Sequence, residues 1–232
     1  MRRISAAAPA IVAALAFVPA TSPAAAQIPL IPPPAYYRPA LSGGMAFPVA
    51  RSNFFSWIEF GDDWHAPRFR LVDGVWRLVG RHEGIDIGAE KGTPVLSITS
   101  GTVERVGWTF YSGTRVGVRG ADGRYYFYAH LSAVEAGIAP GAPVGAGEVL
   151  GRVGNTGYGD PGTEDQFPPH LHVGIEDGDR WVTPYPLLVR LYAAAVEAGR
   201  RDDARLRRIA GSGDRARWDA VRARLYMGIS LP

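Results

Sequence analysis

The sequence predicts a mainly β, antiparallel domain followed by two C-terminal α-helices, and three observations point there. Gly supplies 29 and Pro 19 of the 232 residues, a content that suits short strands joined by tight turns better than a helical bundle. Between about Met45 and Tyr185, short runs of alternating apolar and polar residues are separated by turn signals, the period-2 pattern of half-buried strands. After Pro186 the turn formers become sparse, and apolar residues recur at helical spacing among many arginines.

Taken in order, residues 1–26 run from Arg2 and Arg3 through an alanine-rich apolar stretch, roughly Ala10 to Val18, to Ala24-Ala25-Ala26. A basic start, a short apolar run and a small-residue end predict a secretory signal peptide removed after Ala26. The run is shorter than the ~20 residues of a bilayer span, so no stable membrane anchor is expected. The paired arginines leave general secretion and twin-arginine export both open. Residues 27–44 are proline-rich and predict an extended linker or arm.

Residues 45–185 form the predicted β domain, with strands over Val95–Val106, Arg115–Arg119, Arg124–His130, Glu148–Val153 and His170–Glu176. Asp122-Gly123 marks a hairpin, because glycine supplies the positive φ of a tight primed turn. Residues 186–232 predict an Arg-rich extension with helices over Leu187–Gly199 and Asp202–Tyr226.

The formal charge of +3 divides unevenly, into +2 for residues 1–26, −4 for 27–185 and +5 for 186–232. The β domain is thus mildly acidic and lacks the interleaved aromatic and basic residues of a nucleic-acid groove, so no nucleic-acid partner is expected. Without a single cysteine, disulfides, thiolate nucleophiles and Cys-ligated zinc are excluded. A metal site in this chain has to use His and carboxylates.

Five histidines are available. His82 and Asp86 flank Glu83-Gly84-Ile85. Four residues of extended strand cover about 13 Å, too far for joint ligation of one ion unless the backbone bends, and Gly84 is the natural place for that bend. On their own the two read more readily as ordinary surface residues. His170-Leu171-His172 lies in a predicted strand, where i and i+2 share a face. Both imidazoles then emerge side by side while Leu171, Val173 and Ile175 face the core. Two close imidazoles repel when both are protonated, a juxtaposition that suits a metal holding one neutral. Tyr125 to Ser132 reads as an aromatic strand with His130 near its end, which alone fits a hydrogen-bonded core histidine. His65 has no partner pattern and reads as a loop residue.

In combination the pattern is more specific. His82-x3-Asp86, the aromatic strand ending Tyr-Ala-His130-Leu-Ser, and Pro-His170-Leu-His172 together resemble the lysostaphin-type (LytM-like) zinc metallopeptidases. HEGIDIGAEKGTPV, SGTVERVG, GAPVGAGEVLGRVGNTG and PHLHVGI occur in that family's order and spacing, over about residues 45–180. The resemblance implies a lysostaphin/LytM-like antiparallel β-sheet peptidase domain in which His82, Asp86 and His172 bind one Zn2+ and His130 and His170 are the non-ligand catalytic pair. Two imidazoles and one carboxylate leave the open fourth position that catalytic zinc needs, and zinc lowers the pKa of its water towards about 7. It further implies an exported endopeptidase, periplasmic or wall-associated, that cuts peptide stems in peptidoglycan cross-links. A direct D-Ala to diaminopimelate bond is the preferred target, since no wall-targeting module is visible. The loops Trp108–Arg115 and Asn155–Pro169 are the expected groove walls, and residues 27–65 are a candidate cover for the cleft. The competing reading is a LytM-like non-catalytic activator of another wall hydrolase. Such members lack one or more ligands, whereas every polar position is filled here.

Overall fold

The structure, a computed structural model, describes residues 35–52 and 57–228. The expected signal peptide and the start of the Pro-rich arm lie outside the described residues. Two short strands, β1 (Leu41–Ser42) and β2 (Met45–Ala46), pair around left-handed Gly43 and Gly44. β3 (Ile58–Glu59) follows, then a hairpin of β4 (Pro67–Val72) and β5 (Val75–Arg81) turned at Asp73-Gly74, both with positive φ. The remaining strands are β6 (Ile85–Ala89), β7 (Pro94–Leu96), β8 (Gly101–Thr109), β9 (Gly113–Gly120) and β10 (Tyr125–Val134), then β11 (Pro143–Val144), β12 (Val149–Val153), β13 (His170–Asp177) and β14 (Arg180–Val182). Antiparallel pairing orders them β11-β8-β9-β10-β13-β6-β3, with β12 beside β10 and β7, and β14 beside β13. Two helices close the chain, α1 (Tyr185–Gly211) and α2 (Arg215–Leu225).

Strand alternation separates a packed face from a polar one. Ile85 and Ile87 of β6, Tyr126 and Tyr128 of β10, and Leu171 and Val173 of β13 are fully buried in one core. Burying a side chain of this size stabilises by roughly 1.5–3 kcal/mol. The Tyr128 hydroxyl, deep in that core, accepts the Ile98 N–H at 2.8 Å. The intervening Asp86, Phe127, His170 and His172 therefore stand on the opposite face of the same three strands.

Two boundaries differ from the sequence expectation. The run Val95–Val106 is split between β7 and β8. In the intervening Ser/Thr-rich turn the Ser97 hydroxyl donates to the Thr99 carbonyl at 2.7 Å, a local bond that competes with a strand ladder. Helix α1 runs through Gly199, where the sequence suggested an end. Gly199 is buried, and a Cβ there would stand 2.8 Å from Arg51 Nη1, so tertiary packing outweighs the ~1 kcal/mol cost of glycine within a helix. The break falls instead at left-handed Gly213, after which the Asp214 side chain caps α2 by accepting the Arg217 N–H at 2.9 Å.

Leu188 and Leu191 of α1 belong to the main core. Among the arm residues described, Tyr37 packs with Leu206, Ile209, Val221 and Tyr226, its hydroxyl bonds Asp203, and the Arg38 N–H donates to the Leu225 carbonyl at 2.8 Å. This end of the arm lies on the helices, away from the His-bearing face. In the β4–β5 hairpin Phe69, Leu71, Val75, Trp76, Leu78 and Val79 are all exposed.

Candidate metal centre and active site

His82 sits between β5 and β6. Its N–H donates to the Ala66 carbonyl and its own carbonyl accepts the His65 N–H, both at 2.9 Å. The chain bends at Gly84, as the His82–Asp86 spacing required. The glycine supplies space rather than an unusual φ: a Cβ there would stand 2.4 Å from His172 Cε1 and 2.6 Å from the Val173 carbonyl oxygen.

Register does the rest. His172 of β13 and Asp86 of β6 are direct cross-strand partners, with His172 Nδ1 3.0 Å from Asp86 Oδ1. His82 Nε2 lies 3.1 Å from the same oxygen and 2.9 Å from His172 Nδ1. All three ligand atoms fall within 4.8 Å of one another. His82 Nδ1 donates towards Asp63, whose Oδ2 and carbonyl oxygen stand 3.0 and 3.2 Å away. That tautomer turns the Nε2 lone pair inward, the orientation a carboxylate behind a metal-binding histidine imposes. The donor set fits zinc: tetrahedral bonds of ~2.0–2.1 Å separate neighbouring ligand atoms by ~3.3 Å, an outward adjustment of a few tenths of an ångström.

Electrostatics agree with a cation site. Burial alone would raise the Asp86 pKa, but hydrogen bonds from His172 and His82 hold that carboxyl far below the usual range. Burial would likewise lower His82, yet its hydrogen bonds to Asp63 and Asp86 push it up to about 9, so without an ion Nε2 carries a proton that a bound cation has to replace. Arg68 Nη2 donates to the other Asp86 oxygen at 2.9 Å.

His130 occupies a bulge in β10 with a φ of 62°. Such a conformation costs a non-glycine residue of order 1–3 kcal/mol, and local bonds hold it. The His130 N–H donates to the Ser112 carbonyl at 2.9 Å, and Nδ1–H to the Thr156 carbonyl at 2.8 Å. His170 Nδ1–H donates to the Pro168 carbonyl at 2.9 Å. A carbonyl only accepts, so both tautomers are fixed and both Nε2 atoms carry lone pairs. The two rings lie 4.8 Å apart, and His170 Nε2 is 3.8 Å from Asp86 Oδ1. Burial, then the nearby His170 and His172, push His130 down to about 3, leaving it neutral at pH 7.

The loops named from the sequence stand beside this cluster. Phe167 packs 4.8 Å from the His130 ring and 5.0 Å from His170, and Tyr158 meets Tyr111 at 5.8 Å. Asn155 Nδ2 pins its long loop to Asp165 Oδ1 at 2.8 Å and the Phe167 carbonyl at 3.1 Å. The structure thus brings His82, Asp86, His172, His130 and His170 together. His65 stacks on Trp64 at 4.3 Å and offers the centre only its backbone. Sequence reasoning placed Asp63 only within the candidate cover of residues 27–65 and missed its bond to His82, along with Arg68 and the carbonyls of Thr156 and Pro168. Asp63 lies 19 residues from His82, and no spacing rule links the two.

Comparison with known proteins supplies the family. Residues 80–184 match the family model of peptidase family M23. The chain is 47% identical over 111 residues to an L-Ala–D-Glu endopeptidase of Bacillus subtilis, covering 46% of this chain and 34% of that protein. It is 36% identical over 151 residues to a DD-carboxypeptidase/endopeptidase, Mpg, of Neisseria meningitidis, covering 62% of this chain and 32% of the relative. The chain therefore spans about a third of the length of these curated relatives. A crystal structure from Ruminococcus gnavus, provisionally named a glycyl-glycine endopeptidase, lytM, superposes with a TM-score of 0.54 at 35% identity, covering 64% of this chain and 60% of that one. Residues 80–184 thus form a peptidase family M23 domain, similar to the lysostaphin and LytM-like proteins.

Proposed function

We propose that this protein is an exported zinc metalloendopeptidase that hydrolyses peptide bonds in peptidoglycan cross-links, with a 45–185 peptidase domain and a 186–232 helical extension. The observation that carries the reading is the convergence of three lone-pair donors, His82 Nε2, His172 Nδ1 and Asp86 Oδ1, within 2.9–3.1 Å of one another, beside two further imidazoles. The endopeptidase relatives support the reaction class. Export rests on residues 1–26; among the described residues no helix is long and apolar enough to cross a membrane.

His82, Asp86 and His172 would hold the ion. Zn2+ supplies Lewis acidity there, polarising a carbonyl and making water acidic near neutral pH. Asp63 keeps His82 in the ligating tautomer, and Arg68 offsets part of the Asp86 charge. His170, partly open to solvent and with Nε2 bare, takes the proton of the attacking water and returns it to the leaving amine. His130, buried and neutral, holds its Nε2 towards the same space and orients that water. Phe167 and Tyr158 keep bulk water from His130.

The test is to incubate the zinc-loaded chain with peptidoglycan sacculi and weigh the released fragments by mass spectrometry. Fragments with newly formed peptide termini, abolished by a chelator and by His172→Ala, are expected. Release that survives both treatments sinks the zinc mechanism, and no release at all moves the weight to the non-catalytic activator.

A further inference from the structure

We propose that Arg115 and Tyr125 form a carboxylate-binding subsite beside the metal centre, taking a free carboxylate of the peptide substrate; the inference rests on the peptidase reading above and specifies its substrate. On the polar face of the sheet a cavity of ≈ 330 Å3 runs from His172 to Trp181. Three arginines and three glutamates line it, so its overall charge is balanced and any preference for an anion is local. Arg119 is committed to Glu104 at 2.8 Å. Arg115 is different: its Nε is shielded from solvent and finds no hydrogen-bond partner among the described residues. The Tyr125 hydroxyl is in the same condition, on a side chain only 5% exposed. Orphaned buried donors are rare and costly in folded proteins, and two of them border one cavity.

The position is built rather than incidental. A Cβ at Gly117 would stand 1.9 Å from Tyr125 Oη, so this glycine is what lets the ring lie across β9. The Arg115 guanidinium is placed 5.8 Å over the Phe127 ring, and Phe127 lies 5.9 Å from the His172 ring. Two steps of this size correspond to at most roughly three to four residues of extended peptide. For a carboxylate in the cavity to accept from both, the Arg115 side chain has to turn, because its Nε and the Tyr125 hydroxyl are both shielded from solvent as they stand; the bonds then made are charge-assisted and stronger than bonds between neutral groups.

The experiment titrates the full chain, zinc-loaded and again after chelation, with the tripeptide L-Ala-γ-D-Glu-L-Lys by calorimetry. Three forms are compared: both carboxylates free, the D-Glu carboxylate amidated, and the C-terminal carboxylate amidated. One of the two amidations is expected to weaken binding on the order of 10- to 100-fold, with or without zinc. Arg115→Gln should bring the free acid down to the amide's affinity while leaving the amide unchanged, and Arg115→Lys should restore part of the difference. Tyr125→Phe, which removes only the hydroxyl, should reduce the preference several-fold and carries the test if Arg115→Gln fails to fold. Equal binding of all three forms by the wild type overturns the subsite. So does an Arg115→Gln protein that loses acid and amide binding alike, or a Tyr125→Phe protein with the preference intact. Failure of the peptidase reading looks different, as an intact acid preference in a chain that releases nothing from sacculi.

Discussion

Gly84→Ala tests the packing logic of the metal centre without touching a ligand. The new Cβ would lie 2.4 Å from His172 Cε1, 2.6 Å from His172 Nε2 and 2.6 Å from the Val173 carbonyl oxygen. Carbon atoms in contact settle at about 3.5–4.0 Å, so something has to retreat by about 1 Å. The Val173 carbonyl belongs to the β13–β6 pairing and is hard to displace. The His172 ring yields instead, and its Cε1 is bonded to the Nδ1 that meets Asp86 and His82. Overpacking of this kind costs about 1–3 kcal/mol, or roughly 2–10 °C in Tm for a chain of this size. Disturbing a ligand's support typically weakens metal binding by about 10- to 100-fold. Zinc affinity is read by competition with a chromophoric chelator and Tm by calorimetry. Gly80→Ala is the control, since a Cβ there meets nothing within 4 Å and its φ is ordinary. A Gly84→Ala protein with the zinc affinity and Tm of the control would refute the claim that this glycine makes room for His172.

Other expectations follow from the same contacts. Asp63→Ala should weaken zinc binding by about 10- to 100-fold while the fold persists, because His82 loses the acceptor that sets its tautomer; unchanged affinity in the chelator assay would remove Asp63 from the site. Arg68→Ala should tighten zinc binding by up to ~5-fold, since a cation leaves Asp86 while His172 and His82 still orient it, and the pair is partly exposed; weaker binding would assign Arg68 a supporting role. The pKa of His130 falls from about 6.5 unfolded to about 3 folded, so below pH 6.5 the unfolded chain binds the extra proton. The stability tied to a neutral His130 is complete above that pH and is lost on acidification towards pH 3, by at most ~1.4 kcal/mol per unit. Tm of the metal-free chain should therefore drop less steeply with acid in His130→Asn, which tolerates the positive φ, and parallel curves would contradict the assignment.

Periodicity made much of the site legible. The i, i+2 rule put His170 and His172 on one face, and the length of extended chain between His82 and Asp86 demanded a bend, which the structure has at Gly84. The left-handed His130 was not legible, because a bulge depends on how neighbouring strands register, and nothing local in Tyr-Ala-His-Leu requires it. Asp63 and Arg68 were hidden for a similar reason: they reach the ligands through the fold of the segment before β6, not through spacing. Gly199 misled because a glycine signals a helix end only when no tertiary contact needs its small size.

The most direct test of the central claim is the zinc content per chain, by elemental analysis after dialysis, across five single substitutions. His82→Ala, Asp86→Ala and His172→Ala should each leave far less than one equivalent. His130→Asn and His170→Asn should retain one equivalent while losing the release of fragments from sacculi. Zinc retained at one equivalent in the first three, or lost equally in all five, would contradict the division into ligands and catalytic pair.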